Sequence, residues 1–147
     1  MAAVTTASAA ATTGRAGPVP RSRTQAVILV VAGLVVVGIG GAVLATPEAF
    51  HAGNDIEFGG NPSLLSEIRA AGGALLATGV LVTLGAFVRR LTYTAALVGA
   101  TVYLAYGLSR LFSLAVDGLP ATGLVAATVA ELILGAACGY VLLRQRP

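Results

Sequence analysis

The sequence predicts an all-α integral membrane protein, a four-helix bundle running up-down-up-down. Three observations predict it. Of the 147 residues 56% are hydrophobic and 10% charged, against about 45–50% and about 25% in soluble domains. The apolar residues gather in four stretches, 26–45, 64–88, 92–114 and 121–143, each near the ~20 residues a helix needs to cross the hydrocarbon layer. Seven of the nine basic residues, all arginine, lie on one side of those stretches.

Residues 1–25, rich in Ala, Thr, Ser, Gly and Pro, carry neither helical nor strand periodicity and read as a disordered tail ahead of a transmembrane domain at 26–147. Each apolar stretch must be a helix, because lipid offers unpaired backbone no hydrogen-bond partner. Val43–Ala45 would suit a signal-peptide cleavage site. The first stretch is longer than the about 7–15 apolar residues of a signal, which favours an uncleaved helix. Asn61 and Pro62 supply an N-cap and a first-turn proline for the second span, and Pro120 is expected to open the fourth in the same way. The links after the second and third spans are short, so neighbouring helices run antiparallel.

Arg15, Arg21 and Arg23 precede the first span, Arg89 and Arg90 follow the second, and Arg144 and Arg146 follow the fourth. The long loop 46–62 on the opposite side holds Glu48, Asp55 and Glu57. By the positive-inside rule both termini are expected in the cytoplasm. The net charge of +3 thus reports topology, and no nucleic-acid partner is expected. Cys138 is the only cysteine and His51 the only histidine, so neither a disulfide nor a Cys- or His-based metal site is expected, and no cofactor motif is present. His51 reads as a solvated loop residue and Cys138 as a small buried hydrophobe.

Five charges are left over: Glu67, Arg69, Arg110, Asp117 and Glu131. Glu131 stands out, being roughly 16 Å along its helix from Pro120 at ~1.5 Å per residue. A charge so deep costs about 2.5–3.5 kcal/mol on insertion scales and almost always faces the bundle interior. Gly123, Ala127, Glu131, Gly135 and Gly139 recur at every fourth position, a stripe that allows close helix approach. On the third span Tyr103, Tyr106, Arg110, Ser113 and Asp117 share a face through alternating spacings of three and four. An Arg110–Glu131 pairing, direct or through water, follows as the centre of the molecule; the other reading has Arg110 snorkel outward to Asp117. Glu67 and Arg69, two apart, address different neighbours, and the glycines behind them, Gly72, Gly73 and Gly79, point to close helix packing.

The stretches "SEIRAAGGALLATG", "GLSRLFSLAVDGLP" and "AEL" resemble the bacterial four-helix membrane proteins grouped as domain of unknown function 4345. The likeness covers the second to fourth spans and is looser over the first. Glu67, Arg69, Arg110, Asp117, Gly118, Pro120 and Glu131 match the family pattern. Ser66 replaces the expected Asn, and Gly107 stands three residues before Arg110. The layout is distantly similar to DoxX-like membrane proteins. The resemblance implies a multi-pass protein of the bacterial cell (inner) membrane and groups the unusual charges as one set.

Three functions are compatible with these residues. The first is a non-enzymatic protein that binds a small amphipathic ligand, or a membrane partner, through a polar intramembrane site made of Glu67, Arg69, Tyr103, Tyr106, Arg110, Asp117 and Glu131. The second is an acid–base isomerase or cyclase acting on an apolar isoprenoid-like substrate, with Glu131 as candidate catalytic residue and proton donor or acceptor. The third is a proton-coupled transporter subunit. A dry Arg110–Glu131 contact without an adjoining cavity would weaken the second and third, and a carboxylate on the wall of a ligand-sized cavity would strengthen the second.

Overall fold

The computed structural model describes residues 22–145. Four long helices, α1 (Arg23–Ala45), α3 (Pro62–Gly85), α4 (Thr92–Asp117) and α5 (Thr122–Arg144), are joined by a short helix α2 (Pro47–Ala52) and a 3-10 turn at Arg89–Leu91. All four long helices have the length and composition to cross a membrane. The tail expected for residues 1–25 falls outside the described residues up to residue 21.

Local chemistry sets the helix ends. Ser22 and Gln25 form a reciprocal capping box, with Gln25 N–H donating to Ser22 Oγ at 3.3 Å and Ser22 N–H to Gln25 Oε1 at 3.0 Å, so α1 starts three residues before the apolar stretch. The Asn61 side chain caps α3 by accepting from the backbone of Ser63 and Leu64 at 3.0 and 3.3 Å, with Pro62 at the first position as expected. Gly85 ends α3 where the chain meets α4: an added Cβ would lie 2.1 Å from Ala95 Cβ, and the buried Thr92 hydroxyl donates to Gly85 O at 2.9 Å. Helix α4 continues through Asp117 and stops at Gly118, whose φ of 93° suits glycine. Pro120 does not open α5, as it precedes the N-cap residue Ala121. Its backbone belongs to the turn.

Helix α1 packs chiefly on α3 and α4 on α5, while contacts of α3 with α4 and of α1 with α5 join the two pairs. The ends of the described chain lie together, since the Gln145 amide donates to Gln25 Oε1 at 2.9 Å. The α1–α3 seam depends on glycine at two levels. An added Cβ on Gly40 would stand 2.4 Å from Leu76 N and 2.8 Å from Gly72 O; one on Gly79 would stand 2.6 Å from Val37 N and 2.8 Å from Gly33 O. Backbone meets backbone at these points, the close approach that small residues permit inside lipid. Gly38, Gly41 and Gly73 face open space instead.

The packed core lies in the half of the bundle that holds the ends of the described chain, where Leu29, Ala32, Val36, Val82, Ala96, Cys138 and Val141 are buried together. Cys138 is a buried small hydrophobe, as its sequence context implies. The other half, beneath α2, is more open. Gly40→Ala and Gly79→Ala are expected to lower bundle stability by about 1–3 kcal/mol each through overpacking, whereas Gly38→Ala and Gly41→Ala do not. Thermal unfolding of the detergent-solubilised variants reads the difference, and equal effects at all four sites would refute the seam.

Candidate functional site

Helix α4 carries Arg110 seven residues before its end and α5 carries Glu131 nine residues after its start, depths of roughly 10 and 14 Å from the α2 end of the bundle. The two meet: Arg110 Nε donates to both Oε1 and Oε2 of Glu131 at 3.1 Å. Their side chains are 33% and 13% exposed. Small residues allow the contact, because an added Cβ on Gly107 would stand 2.8 Å from Leu132 Cδ2 and one on Gly135 2.8 Å from Leu104 Cδ2. Of the two partners open to Arg110 in sequence, Glu131 is the one it takes. Asp117 accepts from the Ser113 hydroxyl at 2.8 Å on the exposed end of α4.

The pair lines a cavity of about 410 Å³ between the long helices. Val36, Ile39 and Val43 of α1 and Ile68, Ala71 and Leu75 of α3 form an apolar side, while Tyr103, Tyr106, Arg110 and Glu131 form a polar corner. Tyr103 is buried, and its hydroxyl donates to Ala32 O at 2.7 Å, tying α4 to α1 where the cavity meets the core. Tyr106 is exposed, lines the cavity and makes no hydrogen bond through its hydroxyl among the described residues. Arg110 also lines a smaller space of about 110 Å³ with Leu114, Pro120, Thr128 and Leu132.

Phe50, His51 and Asn54 bring α2 and its following turn to the same cavity. This corrects the reading of His51 as a solvated loop residue. Its Nδ1 contacts Pro47 O at 2.8 Å; a carbonyl can only accept, so Nδ1 carries the hydrogen and Nε2 is the nitrogen left for a ligand. Edge contacts with Phe50 and Phe58, at centroid distances of 5.3 and 4.9 Å, fix the ring. Asn54 Oδ1 rests against α5, 2.4 Å from where a Cβ on Gly123 would lie. The Thr-Pro-Glu opening at 46–48 is a helix-start signal, proline first with an acid in the first turn, inside the stretch read above as a loop.

Not every unusual charge joins this site. The Arg69 guanidinium donates to the carbonyls of Leu44 and Ala45, the latter at 3.3 Å, at the C-terminus of α1. A cation there answers both the orphan carbonyls and the negative end of the helix dipole. Glu67 is exposed and makes no ion pair or hydrogen bond among the described residues. The residue between them, Ile68, is the one that reaches the cavity. Of the seven site residues expected from the sequence, Tyr103, Tyr106, Arg110 and Glu131 come together, and Glu67, Arg69 and Asp117 stand outside.

Arg110→Gln and Glu131→Gln are each expected to destabilise the bundle by about 1–3 kcal/mol, since each leaves a charged partner short of its hydrogen bond. The double variant falls short of the sum by on the order of 1 kcal/mol or more. Additive losses in denaturation curves would show that the two side chains act independently.

No match is found among curated proteins or among solved structures. The family model described as a domain of unknown function, DUF4345, matches residues 24–142, which takes in α1 together with the three helices that carry the quoted motifs. With that match running from the first long helix into the last turn of the fourth, the chain belongs to the DUF4345 family.

Proposed function

We propose that the protein is a multi-pass protein of the bacterial cell membrane that binds a small amphipathic molecule in the cavity beneath α2. One observation carries the reading: a cavity of about 410 Å³ joins an apolar side to a single polar corner. That volume lies within the about 300–1,000 Å³ of small-molecule sites, which are likewise mostly apolar with few polar groups. The arginines Arg23, Arg89, Arg90 and Arg144 at the terminus end and the acids Glu48, Asp55 and Glu57 around α2 support cytoplasmic termini by the positive-inside rule. The cavity then serves the outer leaflet.

A second reading, acid–base chemistry on an apolar isoprenoid-like substrate, draws support from Glu131 on the cavity wall. Against it, both carboxylate oxygens accept from Arg110 Nε, which favours a fixed counter-ion over a proton carrier. The packed core between the cavity and the terminus end likewise favours binding over transport.

A hydrocarbon diazirine probe in bilayers tests the binding reading. Photolabelling is expected on the segments around Leu75 and Val102 in the native protein and to fall there in Ala71→Phe, whose ring fills the cavity. Lipid-facing Phe112 and Ile133, 70% and 62% exposed, should label equally in both. Unchanged labelling at Leu75 and Val102 would overturn the proposal.

A further inference from the structure

The charges and hydrogen-bonding groups around the cavity narrow the class of molecule it holds, granted the binding reading above. Among the described residues, Arg110 and Glu131 are the only formally charged ones lining the cavity, and they are paired with each other. The net charge of the lining is therefore zero. Arg110 spends only Nε on that pair, and a guanidinium has four further N–H donors on its terminal nitrogens. His51, with Nδ1 held by Pro47 O, offers Nε2 as an acceptor, and Asn54 and Tyr106 add neutral polar groups.

The geometry points to a single-chain amphiphile with an uncharged, hydroxyl-bearing head, a long-chain alcohol in chemical class. A hydroxyl accepts from the terminal Arg110 nitrogens and donates to an acceptor such as His51 Nε2, using one donor and the lone pairs it has. Its hydrocarbon lies against Val36, Ile39 and Leu75. A carboxylate head meets an arginine already neutralised by Glu131 and adds a second negative charge beside it in a medium of low dielectric. The nearby cation Arg69 is no help, since it is committed to the α1 carbonyls. An ammonium head meets a carboxylate already neutralised by Arg110. Either ion is desolvated without a free counter-charge, whereas a neutral head is not.

The full chain in nanodiscs is titrated with dodecanol, dodecanoate and dodecylamine, matched in chain and differing in head. Thermal unfolding is followed by circular dichroism, and the response of Ala71→Phe is subtracted to remove effects on the bilayer. Ala127→Leu is a second filled-cavity control should the first fail to fold. Dodecanol is expected to raise Tm in the native chain beyond the control, with an apparent Kd about tenfold or more below those of the two charged probes, a difference of about 1.4 kcal/mol. A charged probe that binds as well as or better than dodecanol overturns the inference and leaves the binding reading standing. If no probe shifts the native chain beyond the control, the binding reading itself falls.

Discussion

Hydrocarbon leaves a buried charge only other groups of the protein to pair with, and in this bundle that constraint brings Arg110 and Glu131 together. The contact fixes how α4 lies on α5. Arg110 reaches from one side of the hairpin and Glu131 from the other, and Gly107 and Gly135 let the backbones come near enough for Nε to hold both carboxylate oxygens. A larger residue at either glycine would meet Leu132 or Leu104 first. The pair neutralises itself, yet it does not bury itself fully, and its exposed side is the polar corner of the cavity.

The rest of the bundle divides along its long axis. Near the ends of the described chain, alanines, valines and Cys138 close the space between all four long helices. Toward α2 the α1–α3 pair stays tight through Gly40 and Gly72 while the space opposite α4 and α5 opens. Tyr103 stands at the boundary, with its ring in the core and its hydroxyl bonded to α1. A helix-rich protein can thus keep a cavity without loss of register, because the seams that fix the helices lie beside the cavity and not across it. Helix α2 closes over its end, with His51 held by its own helix carbonyl and two phenylalanines.

Much of this was legible in sequence where the signal is local or periodic. The four spans follow from apolar length, the α3 start from Asn61–Pro62, and the Arg110–Glu131 contact from two stripes at helical spacing on consecutive helices. What escaped depends on partners without a sequence signature. Arg69 binds backbone carbonyls of α1, and any residue type could have supplied them. His51 and Asn54 reach the cavity only because a six-residue helix folds back over it, a long-range placement that loop composition does not encode. Pro120 carried the right residue type for a helix start but sits two residues ahead of the first helical position, Thr122, because Ala121 takes the cap. Asp117, grouped by spacing with Arg110, satisfies Ser113 within its own helix.

The claim on which the account turns is that Arg110 and Glu131 hold each other inside the bilayer. A solid-state NMR dipolar measurement between ¹⁵N at Arg110 Nε and ¹³C at Glu131 Cδ, in the full chain reconstituted in lipid, tests it directly. The account predicts the strong coupling of a directly hydrogen-bonded pair, in keeping with the 3.1 Å contacts to both oxygens. A coupling too weak for contact, with Arg110 Nε found beside Asp117 or lipid headgroups instead, would contradict it.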